Sequence, residues 1–159
     1  MGRPGEVSEK RGGGWVFAQF ALMALTVVAA VLGPRWPDAA RPALGAAGVV
    51  LAIAGGVVAV WSARTLGRSL TPFPRPVAAG ALVDRGAYAV VRHPIYSAGL
   101  LLFGGLALWT GAGALLLTGA LAVLWALKAG VEERHLVATY PDYAAYRERV
   151  RYRLVPFVY

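Results

Sequence analysis

The chain has 159 residues, and 58% of them are hydrophobic. This length suits one domain, but the composition is too apolar for an ordinary soluble domain. The chain contains no cysteine, which excludes disulfides, thiolate metal ligands and cysteine nucleophiles. The net charge of +8 favours contact with anionic membrane lipids, and in so apolar a chain it does not indicate nucleic acid as a partner.

Three uncharged blocks divide the chain, at residues 15–33, 43–63 and 95–127. A helix needs about 20 apolar residues to cross a bilayer core of about 30 Å, so each of the first two blocks predicts one crossing. The third block is too long for a single crossing, because a helix rises by about 1.5 Å per residue.

The middle of the third block reads TGAG, at residues 110–113, and this cluster is typical of a turn. We therefore predict a hairpin of two helices, from residue 94 to about 109 and from about 114 to 128. Each is slightly short for a full crossing, so we expect tilt or local thinning of the bilayer. The predicted fold is an all-α integral membrane protein of about four transmembrane helices, the last two forming a helical hairpin.

Lys and Arg residues are distributed unevenly along the chain. Fourteen of the 16 lie in the tail before Trp15, in the loop over 64–93, or after Leu127. The first loop holds the other two, Arg35 and Arg41. Because cytoplasmic loops collect Lys and Arg, we predict a multi-pass protein with both termini in the cytoplasm.

We divide the chain into a cytoplasmic tail over 1–14, two N-terminal transmembrane helices over 15–63, and a core over 64–159. The core begins with a long, proline-stiffened loop and ends with a basic segment, in which we expect a short helix from residue 141 to about 150. No ionisable residue lies in the middle of a predicted crossing, which disfavours a coupled transporter. We expect the loop and the C-terminal helix to cap a pocket at the cytoplasmic face.

The two ends of the hairpin should meet at this pocket. Pro94 suits the first turn of a helix, and the free backbone N–H groups there, with Arg92 and His93, favour an anion. Glu132 and Glu133 emerge near the C-terminal end of the last crossing, where carboxylates are not favoured. A residue that is unfavourable for its local structure often marks a functional site, so these two glutamates are candidates. The pocket would be positive on one wall and negative on the other.

Simpler interpretations of these residues stay open. Arg92 and His93 would also serve to anchor a helix at the lipid headgroups. Glu132 would also pair with Lys128 or His135 on a solvated face. Glu132 and His135 have the spacing of metal ligands, but a di-metal helical bundle needs a second such motif, so we expect no metal.

Three motifs occur in order: RHPIY at residues 92–96, EERHL at 132–136, and YPDYAAYRERVRYRLVP at 140–156. This set resembles the isoprenylcysteine carboxyl methyltransferase and phospholipid methyltransferase superfamily of integral membrane enzymes. Upstream, LGRSLTPFP and LVDRGAYAVVRHP are similar to bacterial members, which implies the bacterial inner membrane as the location. Ala98 and Ala87 depart from the family pattern, which has glycine and proline at these positions.

The resemblance implies S-adenosyl-L-methionine as the methyl donor, bound on the cytosolic side, and a lipophilic acceptor that arrives from the bilayer. Tyr88 and Tyr96 would offer flat surfaces to this cofactor. The full predicted set of cofactor-binding residues is Tyr88, Arg92, His93, Tyr96, Glu132 and Glu133. No catalytic residue is assigned, because a carboxylate acceptor needs no base, whereas an amine or thiol would need His93 or a glutamate.

Several alternatives remain at this point. The acceptor is an isoprenylcysteine-like carboxylate, a phospholipid amine or another small hydrophobic molecule. The ending VRYRLVPFVY also resembles membrane sterol reductases, which would imply NADPH, and a non-enzymatic membrane scaffold is a further alternative. Gly48, Gly55 and Gly56 either permit close helix packing or a homodimer, or leave room for a lipid tail. Alternating arginines near the C-terminus suit lipid phosphates or, alternatively, the substrate: Arg147, Arg149, Arg151 and Arg153.

Overall fold

The computed structural model describes residues 12–77 and 80–158, so most of the predicted tail over 1–14 lies outside the described residues. The described residues form helices and contain no strand. The α-helices are α1 (Gly13–Leu32), α2 (Arg41–Leu66), α3 (Pro94–Thr110), α4 (Ala112–Thr139) and α5 (Tyr143–Arg149). Short 3₁₀ helices occur at Gly67–Ser69 and Gly86–Ala89.

Among the described residues, three helices are long and apolar enough to cross a membrane: Gly13–Leu32, Arg41–Ser69 and Ala112–Thr139. The apolar helix α3 is shorter, with 17 residues. The all-α membrane fold predicted from the sequence is confirmed, whereas the number of crossings stays a prediction. Both hairpin helices were expected to be slightly short for a full crossing, and this holds for α3. Helix α4 continues as one helix past the acidic pair and reaches 28 residues, which is long enough to cross a membrane.

Small residues lie between the helices, and large apolar side chains cover the outside. Ala98, Ala107 and Ala114 are buried, whereas Phe17 and Leu116 are each 77% exposed. This is the pattern of a membrane helix bundle, in which small residues let backbones approach closely and large ones face lipid. The helices therefore pack closely through small side chains, rather than around a thick centre of large apolar side chains.

The hairpin turn and the first loop lie together at one end of the bundle, which we call the turn end. A single residue, Gly111, joins α3 to α4, and a Cβ atom there would collide with the carbonyl oxygen of Pro34. The Trp36 amide donates a hydrogen bond to the carbonyl of Thr110 at 3.3 Å. The opposite end, where α3 begins and α4 ends, is called the site end below.

The C-terminal segment lies along the start of α3 at the site end. The backbone N–H groups of Arg92 and His93 donate to the carbonyls of Tyr152 and Arg153, at 2.9 and 2.8 Å. The short helix α5 falls within the predicted range and packs through its tyrosines against Leu82, Leu136 and Tyr140. Loop, α5 and C-terminal segment thus cover the polar end of the hairpin.

Candidate active site

A cavity of about 410 Å³ opens at the site end. Its walls are the first turn of α3, the outer turns of α4, α5, and the proline-rich segment over residues 70–77. This volume is within the range of about 300–1,000 Å³ that small-molecule sites occupy. Five of the six predicted cofactor-binding residues line it: Tyr88, Arg92, His93, Tyr96 and Glu132. Glu133 lies behind the wall, where it is only 3% exposed.

Glu133 forms the centre of a buried charge cluster. Its Oε1 accepts a hydrogen bond from Arg92 Nε at 2.7 Å and lies 3.3 Å from His93 Nε2. Its Oε2 accepts from the guanidinium of Arg153 at 3.0 Å. A buried carboxylate is tolerated only when its charge is matched, and here two arginines and a histidine match it. Glu133 therefore joins α4 to both α3 and the C-terminal segment.

Arg92 is occupied by groups of the protein itself. Besides its contact with Glu133, its terminal nitrogen donates to the carbonyls of Val150 and Arg151, both at 2.7 Å. The positive wall and the negative wall expected from the sequence are thus in direct contact, because α3 and α4 pack closely at this end. The backbone N–H groups expected to be free for an anion are also used by the C-terminal segment.

His93 lies between the two glutamates. Its Nδ1 is 3.3 Å from Glu132 Oε2, and its Nε2 is the same distance from Glu133 Oε1. Burial by itself lowers the pKa of His93, but the hydrogen bonds and charges of the two carboxylates outweigh burial and raise this pKa above its usual value. The imidazolium form is therefore favoured, since it donates from both ring nitrogens.

Glu132 presents its carboxylate to the cavity. Its Oε1 accepts from the hydroxyl of Tyr96 at 2.5 Å and lies 3.9 Å from Lys128 Nζ. The Tyr96 ring stacks between His93 and Trp125, with centroids 5.7 and 5.6 Å away. The pairing of Glu132 with Lys128, one helical turn back, is thus present, and it coexists with exposure of Glu132 to the cavity.

Lys128 and Gln19 belong to the cavity although neither was predicted as a site residue. Lys128 is fully buried, and its Nζ donates to Gln19 Oε1 at 2.6 Å and to the carbonyl of Pro72 at 2.7 Å. It also lies 5.4 Å from the centre of the Tyr96 ring. The sequence feature that could have indicated this contact is Gln19, an amide side chain inside the otherwise apolar first block.

Tyrosines complete the wall formed by α5 and the loop. The hydroxyl of Tyr146 donates to the carbonyl of Tyr88 at 2.8 Å, which ties α5 to the 3₁₀ helix. Burial raises the pKa of the phenols of Tyr88, Tyr143 and Tyr146, so all three stay neutral at physiological pH. The hydroxyl of Tyr143 is buried and has no hydrogen-bond partner in the described part of the chain.

Comparison with known proteins gives two findings. Residues 44–143 match the family described as phospholipid methyltransferase. The fold is similar to the solved structure of the eukaryotic intramembrane Ras methyltransferase isoprenylcysteine carboxyl methyltransferase, with a TM-score of 0.64 and 19% sequence identity. No curated protein sequence matches the chain.

The structural match covers 92% of this chain and 53% of the other, so the chain spans about half the length of that protein. At this identity the likeness shows a shared fold. The family match covers residues 44–143, which is more than half of the chain and includes most of α2, the loop over 67–93 and the hairpin. The superfamily predicted from the three motifs is confirmed, and the chain belongs to the phospholipid methyltransferase family.

Proposed function

We propose that this protein is an integral membrane methyltransferase that moves the methyl group of S-adenosylmethionine to a lipophilic acceptor. The observation that carries the proposal is the site-end cavity, which lies between motif residues in a chain of this family. The cavity is open at the polar end of apolar helices, where a charged donor from the aqueous phase and an acceptor from the bilayer can meet.

The residues of the cavity fit the proposed cofactor. S-adenosylmethionine supplies an activated methyl group on a sulfonium, and it also carries an ammonium, a carboxylate and ribose hydroxyls. The carboxylate of Glu132 suits the cationic and hydroxyl groups, and the ammonium of Lys128 suits the carboxylate. The buried Tyr143 hydroxyl, which has no hydrogen-bond partner among the described residues, offers a further polar contact. Glu133 and Arg92 would act indirectly by holding α3, α4 and the C-terminal segment in place.

Orientation and exclusion of water are the main tasks that such a reaction leaves to the protein. The Tyr96 ring is held by its stack on Trp125 and its bond to Glu132, so it offers a fixed surface. Residues 70–77, which contain three prolines, close one side of the cavity. Good orientation of two reactants can lower a barrier by about 7 kcal/mol or more.

The acceptor is proposed to be an isoprenylcysteine-like carboxylate, a phospholipid amine or another small hydrophobic molecule. A carboxylate is already nucleophilic and needs no base. An amine or thiol must lose a proton, and His93 is poorly suited to accept it because its raised pKa favours the protonated ring. Glu132, whose carboxylate faces the cavity, is the base that we propose for such an acceptor.

A binding titration tests the cofactor assignment. We expect saturable binding of S-adenosylhomocysteine to the purified protein by calorimetry, and no saturable binding of NADPH. Glu132→Gln should weaken binding about tenfold or more, because a hydrogen bond to a charged group contributes about 1.5–3 kcal/mol. Glu148→Gln removes an exposed carboxylate from α5 and serves as the matched control. Saturable NADPH binding without S-adenosylhomocysteine binding would support the reductase alternative instead.

A labelling assay tests the acceptor. The protein is incubated in membranes with a total lipid extract and S-adenosylmethionine that carries a labelled methyl group, and the labelled product is identified by mass spectrometry. A base-stable lipid amine product indicates a phospholipid amine, and a base-labile methyl ester indicates a carboxylate. Absence of any label in the lipid fraction, with cofactor binding intact, would contradict a lipophilic acceptor.

A further inference from the structure

A second concavity lies on the outer face of α4, apart from the cavity described above. It has a volume of about 620 Å³ and shares no lining residue with the site-end cavity. Three arginines, Arg134, Arg147 and Arg153, surround Gly130, with Leu127 and Val137 at the sides. Ala126 and the buried carboxylate of Glu133 complete the lining, and these eight residues are called the basic groove.

The floor of the basic groove is formed by Gly130, which has no side chain to fill the space above it. A Cβ atom added at Gly130 would meet no other atom within 4 Å, so the space above it is free. This glycine has an ordinary helical backbone, since its position on α4 does not require a positive φ. The groove is therefore open at Gly130 because this residue has no side chain. A larger side chain at position 130 would fill the groove and leave the backbone of α4 unchanged.

The charge of the groove is positive. Arg134 and Arg147 are exposed, and neither makes a salt bridge within residues 12–77 and 80–158. Arg153 contacts Glu133, but the charge of that carboxylate is also matched by Arg92 on its other side. A ligand of the groove must accordingly be an anion, and guanidinium groups bind phosphate with good geometry.

An exposed apolar track runs along α4 into the groove. Leu116, Val123 and Leu127 are 77%, 61% and 59% exposed. With 3.6 residues per turn, these three positions lie on the same face of α4 as Gly130 and Arg134. Helix α4 has 28 residues, or about 42 Å, which exceeds the apolar core of about 30 Å, so its last turns reach the headgroup region.

We propose that the basic groove binds the phosphate headgroup of an anionic phospholipid whose acyl chain lies along Leu127, Val123 and Leu116. Charge selects an anionic headgroup, and the apolar track selects a molecule with a long chain rather than a free phosphate. Basic pockets beside transmembrane helices bind anionic lipids for the same reason. This lipid is distinct from the methyl acceptor, because the groove and the site-end cavity have no lining residue in common.

Native mass spectrometry of the whole protein, released from detergent with dioleoyl-phosphatidylglycerol or dioleoyl-phosphatidylcholine, tests the proposal. We expect the protein to retain one phosphatidylglycerol and much less phosphatidylcholine. The double variant Arg134→Gln, Arg147→Gln should retain phosphatidylglycerol about thirtyfold less well, since each of the two arginines near a lipid surface contributes about 1 kcal/mol. Arg64→Gln, an exposed arginine of α2 outside the groove, is its control.

Gly130→Leu tests the shape of the groove independently of its charge. It should lower phosphatidylglycerol retention to a similar degree, whereas Gly56→Leu should not. Gly56 also has open space at its Cβ position, but it lies on α2, away from the groove and the apolar track. Equal retention of the two lipids by the native chain, or equal retention by both leucine variants, would overturn the proposal. The measurement uses no methyl donor, so its outcome is independent of the proposed enzymatic function.

Discussion

At the site end, the charged residues Arg92 and His93 both hold the fold together and set the charge of the cavity wall. Arg92 holds Glu133 with one nitrogen and the carbonyls of Val150 and Arg151 with another, so one guanidinium links three parts of the chain. His93 contacts both glutamates, and its charge depends on them. The cavity wall is therefore kept in shape by the same groups that set its electrostatics.

Replacement of Arg92 should loosen the C-terminal segment. Arg92→Gln leaves a buried carboxylate with less compensation, and we expect it to lower the free energy of unfolding by about 3 kcal/mol. Hydrogen exchange of residues 150–154 should rise in this variant. Arg149→Gln removes an exposed ion pair with Asp84 and should cost less than about 1 kcal/mol. Equal effects of the two substitutions would contradict the linking role of Arg92.

The stability that His93 contributes should depend on pH. Its folded-state pKa is raised, so its contribution is complete below the unfolded value of 6.5 and is lost as pH rises through the folded value. The test is to measure the thermal unfolding midpoints of the native chain and of His93→Gln from pH 5.5 to 9. The difference should be largest below pH 6.5 and should shrink above it. A difference that grows with pH would show that the neutral ring is the stabilising form.

At the scale of elements, α2 and α3 pack backbone to backbone. A Cβ atom at Gly48 would lie 2.5 Å from the carbonyl oxygen of Gly105, and one at Gly55 would lie 2.7 Å from the amide nitrogen of Leu102. These two glycines therefore serve close packing within the chain. Gly56, the third glycine of the set, faces open space, so a homodimer contact or a lipid tail there stays a prediction.

Enlarging the glycine at the contact should destabilise the protein. Gly55→Val would push a side chain into the backbone of α3, and overpacking of this kind costs about 1–3 kcal/mol or more. Gly56→Val, with the same added volume and no neighbour within 4 Å, is the control. Denaturation in detergent micelles measures both free energies of unfolding. If both substitutions were equally harmless, the close α2–α3 contact would be excluded.

At the scale of the whole molecule, the two ends of the bundle differ in charge. Arg35, in the first loop, and Arg41, at the start of α2, lie at the turn end, whereas the other described cations lie towards the site end. Cytoplasmic faces collect Lys and Arg, so the site end should face the cytoplasm. Such an orientation would give the cavity access to a cytosolic methyl donor.

Because the chain has no cysteine, single introduced thiols test this orientation without interference. Asp38→Cys lies in the turn-end loop and Ala145→Cys lies on α5, and both positions are exposed. In intact cells, a membrane-impermeant thiol reagent should label position 38 nearly completely and position 145 only after the membrane is opened. The reverse pattern would place the cavity on the outer face, and labelling of both would contradict the opposite placement of the two ends.

Several features were determined by the sequence alone, because they depend on residues close together in the chain. The helices over the first two apolar blocks, the helix start at Pro94 and the turn near Gly111 were predicted within a few residues. The ordered motifs also indicated the superfamily, and they placed Glu132 and Glu133 on the helix that faces Arg92 and His93.

The tertiary structure decided which side chains meet. Lys128 reaches Gln19, 109 residues away in sequence, and Arg92 contacts Glu133 directly rather than across a ligand. Neither contact could be predicted, because each depends on how tightly distant helices approach and on their rotation about their axes. That approach is set by small residues at the helix contacts, whose effect appears only when the helices are packed together.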